Sequence, residues 1–327
     1  MSKPVVWVLG TGGTIASKYD AKLGGHVAAA SAEELVAAVP SLTEHAEIRA
    51  LEHSRINSAG IDTATVFGLR DRLVQVLADP AVAGAVITHG TATLEETAYM
   101  MDLLVDSPKP VVVTGAQRNF DVKDADGPRN IFNAVRIAAD PASASRGVMV
   151  AVGDEIHAAR DAIKTHTYRL NAFSSRDGGK IGEVNEDGVI YFTRPERRLH
   201  FVVDHVKDNV HLVVMTQGSN DLLLRACIAG KADGIVVDGV GGGNMNVPFY
   251  KAICDALEAD IPVVISSRHL GGQPHISKGY LGSLKSVLER GAIAGGYLSG
   301  IKARILLMVA LAHTQDRKEL AEIFARA

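Results

Sequence analysis

The 327 residues carry 34 Lys plus Arg against 37 Asp plus Glu, a formal net charge of −3, with 47% hydrophobic and 22% charged residues. That balance excludes disordered and fibrous chains and leaves no basic excess to hold nucleic acid or an anionic membrane. The two cysteines, Cys227 and Cys254, have neither metal-site nor redox-pair spacing, which suits a reducing, cytoplasmic setting.

The first apolar run, Val5-Val6-Trp7-Val8-Leu9, has no signal-peptide pattern before it, so no secretory address is expected. It reads as a strand, and further strand-like runs follow at 85–88, 111–114, 147–152, 212–215, 234–237 and 263–266. Amphipathic helical stretches separate most of them. In 93–105, for example, Leu94, Thr97, Ala98, Met101 and Leu104 share one stripe. Alternation of this kind predicts an α/β protein built on mostly parallel sheets flanked by helices. A charged stretch at 191–209 reads as a linker between a larger N-terminal domain, 1–190, and a smaller C-terminal α/β domain, 210–327. The run 305–311 is too short to span a bilayer.

Several strands end in small or polar residues, and the carboxyl ends of strands are where open α/β sheets bind ligands. Gly10-Thr11-Gly12-Gly13-Thr14-Ile15-Ala16 follows the first strand but is not a dinucleotide fingerprint, because Ile15 occupies the third glycine position. A tight structural turn is its rival reading. A second strand-end turn carries Thr91, and Lys164 follows Arg160-Asp161. A threonine hydroxyl becomes a nucleophile only beside a base, and a lysine serves once burial favours its neutral form. His89 has no second ligand at metal spacing and reads as a packed structural histidine, so neither metal nor cofactor is expected. Glu95 and Glu96 open a helix, where they would favour its N-terminal dipole; their adjacency does not suit paired-carboxylate hydrolysis.

On Thr-Gly-Gly-Thr-Ile-Ala at 11–16, Ile-Thr-His-Gly-Thr at 87–91, Leu-Glu-Glu-Thr-Ala-Tyr at 94–99, Gly-Ala-Gln-Arg at 115–118, Asp-Gly-Pro at 126–128 and Arg160-Asp161 with Lys164, the chain resembles the bacterial asparaginase and glutaminase-asparaginase family. The resemblance continues through 239–241 and 266–268 to 302–304. It implies a cofactor-free amidohydrolase in which Thr14 is the nucleophile, Thr91 the second threonine and Lys164 the lysine that polarises it. It further implies that Ser58 binds the substrate carboxylate, that Gly90 lines the pocket and that the Gly115-Ala116 turn lies near the scissile amide. Asn244 resembles an asparagine contributed by a neighbouring subunit, whose smaller domain completes the site in a homotetramer of intimate dimers. The family also carries a lid tyrosine on a loop after the first strand, for which Tyr19 is the candidate in this segment, with a solvated loop tyrosine as its rival.

The departures bear on the substrate. Ala92 stands where the family has aspartate, Ala59 where it has glutamine, and 269–280 offers no acidic residue to match the one the family places there. All three would hold the α-ammonium of asparagine, and a buried ammonium left unpaired costs roughly 2 to 5 kcal/mol. One reading is a substrate that keeps a carboxylate and an amide but has a substituted or missing α-amino group, with Arg55 and His275 as loop candidates for an extra polar group. A second is an ordinary L-asparaginase in which Ala92 is a lesion, an engineered change or tolerated divergence. A third is a catalytically inactive ligand-binding homologue.

Overall fold

The computed structural model describes residues 3–196 and 198–327, which divide into two compact units, 1–198 and 199–327. In chain order the first unit contains β1 (Val5–Gly10), β2 (Ser17–Asp20), β3 (Gly25–Ala28), β4 (Glu47–Glu52), β5 (Val82–Thr88), β6 (Val111–Thr114), β7 (Val148–Val152), β8 (Glu155–Ala158), β9 (Ala162–Lys164), β10 (Phe173–Ser175), β11 (Gly182–Val184) and β12 (Val189–Tyr191). Eight of these form one sheet in the order β12-β11-β8-β7-β6-β5-β1-β4, and the section from β4 to β7 is parallel throughout. The expected mostly parallel sheet is therefore present. Its far edge is antiparallel, because the tight turn after β7 reverses the chain into β8, which β11 and β12 extend.

Among its described residues this unit has the α-helices α1 (Ala32–Ala37), α2 (Leu42–His45), α3 (Thr63–Ala78), α4 (Leu94–Leu104) and α5 (Gly127–Ala139). Val6, Val8, Val86, Val112 and Met149 project from the strands into a core shared with Leu35, Leu42, Ile131 and Val135. These strands are buried on both faces and therefore read in sequence as continuous apolar runs instead of alternating ones. The expected stripe of α4 is buried, but so is almost its whole circumference, which explains its weak polar face.

The second unit holds a parallel sheet of β13 (Val210–Val214), β14 (Gly234–Gly239), β15 (Val263–Ser267) and β16 (Ile293–Ala294) in that order. It also contains α6 (Leu222–Ala229), α7 (Val247–Glu258), α8 (Leu284–Leu288), α9 (Gly300–His313) and α10 (Arg317–Arg326). Ile235, Val237, Val263 and Ile265 pack on Phe249, Ile253 and Leu257 of α7. Residues 192–209 form no helix or strand among those described, yet Leu199, Phe201 and Val206 are buried, so the end of this stretch is part of a core. Cys254 is buried on α7 and Cys227 half-buried on α6. No helix among the described residues is long and apolar enough to cross a membrane.

Candidate active site

The order β4-β1-β5 places the switch point of the first sheet between β1 and β5: the chain leaves β1 toward one edge and resumes on the other side at β5. Connections there depart in opposite directions and open a crevice at the carboxyl ends of the strands. Thr14 lies in the turn after β1, Ser58 in the turn after β4 and Thr91 in the turn after β5. Glycine allows the turns to touch. A Cβ on Gly13, whose φ is +80°, would sit 2.2 Å from Gly90 Cα, and one on Gly90 would sit 2.6 Å from Ser58 Oγ.

The crevice is a pocket of about 520 Å³ in which Thr14, Ser58, Thr91, Ala92 and Lys164 all share the wall. That volume falls within the range of small-molecule sites. Lys164 arrives from β9, which pairs antiparallel with β10, and its Nζ donates to Thr91 Oγ1 at 2.7 Å. Burial pushes the Lys164 pKa down and the Glu95 carboxylate partly opposes this. The result is a lysine nearer to neutrality than an exposed one, held against a hydroxyl. Among the described residues lining the pocket none is acidic, whereas Arg55 and Lys164 are basic. Gln117 adds a further demand: its buried Nε2 has no hydrogen-bond partner, an unusual state for a buried amide and one that a ligand carbonyl or carboxylate would satisfy.

The family model described as "Asparaginase, N-terminal" matches residues 5–197, and that described as "Glutaminase/Asparaginase C-terminal domain" matches 209–324. The chain belongs to the asparaginase family. "L-asparaginase 2" of Escherichia coli (strain K12) is 35% identical over 99% of this chain and 93% of its own length. "Glutaminase-asparaginase" of Pseudomonas fluorescens biotype A is 31% identical over 98% of this chain and 89% of its own length. Among solved structures, the "Probable Cytoplasmic L-asparaginase from Campylobacter jejuni" superposes with a TM-score of 0.90 at 32% identity, covering 99% of this chain and 100% of that one. This asparaginase-family chain is accordingly an amidohydrolase.

Not every residue expected at the site lines the pocket of this asparaginase-family fold. Tyr19 is 57% exposed on the β2–β3 hairpin: its ring meets His26 edge-on at 5.4 Å and its backbone N–H donates to Asp121 Oδ2 at 2.7 Å. His26, Val27 and Ala28 of this hairpin form one side of the pocket, and Tyr19 does not line it. Ala59 is exposed, its N–H donating to Asn57 Oδ1, and Ala116 is fully buried beneath the wall. The backbone N–H groups of Gln117 and Arg118 are both held by the Asp126 carboxylate, so the turn presents the Gln117 side chain to the pocket and keeps those two donors for itself. Gly90 is buried behind Ser58 and shapes the pocket by its lack of a side chain. In the second unit, Asn244 bridges to Val240, its Oδ1 accepting from Leu284 N–H, while His275 is exposed.

His89 is fully buried with Nδ1 against Gly90 O at 2.8 Å, as a packed histidine should be, and burial pulls its pKa down to about 4. Glu95 opens α4 together with Glu96, as expected, and in addition it is buried, only 8% exposed, and acts electrostatically on Lys164. Sequence reasoning also gave no role to Ser17, Asn57, Asn119 and Thr167, all of which line the pocket. For Asn57 and Asn119 the proximity to Ser58 and to the Gly115-Ala116-Gln117 turn was the available signal.

Proposed function

We propose that the chain releases ammonia from the side-chain amide of an asparagine- or glutamine-like compound through a threonine acyl-enzyme. The observation that carries the reading is the 2.7 Å contact between Lys164 Nζ and Thr91 Oγ1 in the pocket that also contains Thr14. Thr14 Oγ1 attacks the amide carbon and its proton passes to the leaving nitrogen, which departs as ammonia. Water then cleaves the ester to give a carboxylic acid and the free threonine. With the lysine neutral, the Thr91 contact runs in reverse and Nζ accepts the hydroxyl proton, so that Thr91 can activate this water. Ser58 and Gln117 orient the carboxylate and amide, and Asn244 of a neighbouring subunit completes the site in a homotetramer.

For the substrate, the absence of acidic side chains from the described lining supports a molecule without a free α-ammonium. An acylated nitrogen is uncharged, and an absent one needs no partner. The names of the relatives favour a second reading, plain L-asparagine as substrate. Ammonia release from L-asparagine, L-glutamine, N-acetyl-L-asparagine, N-gluconoyl-L-asparagine and succinamate separates the two. Higher kcat/KM on the last three is the expected result, preference for free asparagine overturns the substrate assignment, and silence on all five removes the amidase mechanism.

A further inference from the structure

The pocket does not end at Ala92. A second cavity of about 380 Å³ is lined by Ala92, Glu95, Lys164, Thr165, His166 and Thr167, and it shares Ala92, Lys164 and Thr167 with the first. The two volumes therefore adjoin at Ala92, Lys164 and Thr167, and Ala92 stands where the family has a carboxylate. Each is large enough for part of a small-molecule ligand.

The second cavity has a mixed set of hydrogen-bonding groups. His166 Nδ1 accepts from the backbone N–H groups of Tyr168 and Arg169 at 3.0 Å each, so the ring proton is on Nε2, which is left to donate. Thr165 Oγ1 donates to Ala172 O at 3.2 Å, leaving its lone pairs to accept. Glu95 supplies a carboxylate acceptor and Lys164 a donor. The lining thus offers donors at His166 and Lys164 beside acceptors at Thr165 and Glu95, a mixture that hydroxyl groups, which both donate and accept, can satisfy throughout.

We propose that this cavity is a subsite for a neutral, polyhydroxylated group carried on the substrate's α-nitrogen and reached across Ala92. The assignment rests on the amidase reading above for the position of the α-nitrogen, and it adds the chemistry of the substituent. Ala92 is then a specificity-determining residue whose small size joins the two volumes.

The test compares N-gluconoyl-L-asparagine, N-acetyl-L-asparagine and N-(4-aminobutanoyl)-L-asparagine on the full chain. The gluconoyl compound is expected to exceed the acetyl compound about tenfold in kcat/KM, the yield of one or two additional net hydrogen bonds. Ala92→Leu, which narrows the passage, should bring that ratio close to one. His166→Asn, whose Oδ1 can still accept the two backbone N–H groups, should reduce the ratio by removing the Nε2 donor. Equal kcat/KM for the gluconoyl and acetyl compounds, preference for the aminobutanoyl compound, or equal losses on both amides in the variants would overturn the subsite while leaving the amidase reading standing. Calorimetric titration of Thr14→Ala with the same compounds decides the matter independently of turnover. If no amide is hydrolysed the amidase reading fails, and the subsite still stands or falls on whether the gluconoyl compound binds more tightly than the acetyl compound.

Discussion

Gly90→Ala tests the proposed carboxylate contact at Ser58 through packing. The added Cβ would lie 2.6 Å from Ser58 Oγ, 2.8 Å from Ser58 Cβ and 3.0 Å from Gly13 Cα, whereas ordinary contact begins at 3.4 Å. The serine must therefore retreat by roughly 0.8 Å. It has little room to do so, being 3% exposed and held through its carbonyl by Thr93 Oγ1 at 2.8 Å. A displacement of that size breaks a hydrogen bond to a bound carboxylate, a charge-assisted contact worth about 1.5 to 3 kcal/mol. Substrate affinity should accordingly fall by about 10- to 150-fold. Steady-state KM on the best amide, with calorimetric Kd on a Thr14→Ala background, measures the loss. Ser58→Gly removes the two closest atoms and leaves only the 3.0 Å approach to Gly13 Cα, so Gly90→Ala should cost far less on the Ser58→Gly background than alone. Fully additive losses in the double variant would refute the argument that Gly90 acts through Ser58.

Further tests address the lysine, the substrate and the buried histidines. If neutral Lys164 is the working form, kcat rises with pH through its pKa; Glu95 holds that pKa up, so Glu95→Gln should move the rise to lower pH, and a shift to higher pH or none would contradict the electrostatic coupling. Ala59→Gln with Ala92→Asp should raise the kcat/KM ratio of free over N-acetylated asparagine by about tenfold or more, the value of one charged hydrogen bond, and an unchanged ratio counts against the ammonium argument. His89, with its pKa lowered to about 4, stays neutral in the folded chain while its unfolded counterpart takes up a proton below about 6.5. Stability is therefore complete above that unfolded value and is lost as pH falls toward 4, by roughly 2 kcal/mol at pH 5 from this residue alone. Burial lowers His157 in the same direction. Denaturant unfolding at pH 7 and pH 5 should show the loss, and His89→Gln should lessen it.

The parallel strands were legible because burial on both faces leaves uninterrupted runs such as Val111-Val112-Val113. Their carboxyl-end turns were legible because only glycine fits where Gly13 meets Gly90. The antiparallel edge was not foreseen: β11 and β12 have three residues each, too few to display a period. Glu95 looked like any acidic residue in a first helical turn, and its burial depends on a contact between α4 and β9, far along the chain. Gln117 Nε2 is left without an acceptor at the pocket wall while the Asp126 carboxylate accepts from the neighbouring backbone N–H groups, a consequence of tertiary geometry. The position of Tyr19 likewise depends on how the hairpin is pinned to Asp121, which adjacent sequence does not reveal.

The contact between Thr91 and Lys164 joins residues 73 positions apart. Closing so long a loop costs entropy before the contact returns anything, so such pairings form late as a chain folds. Thr14 and Ser58 come from still other segments, tied together by a sheet whose neighbours are not in chain order. A nascent or partly unfolded chain can hold much of its secondary structure without holding this pocket. Amide hydrolysis is thereby confined to molecules that have completed their topology, and recovery of activity on refolding reports long-range assembly where circular dichroism reports only local order.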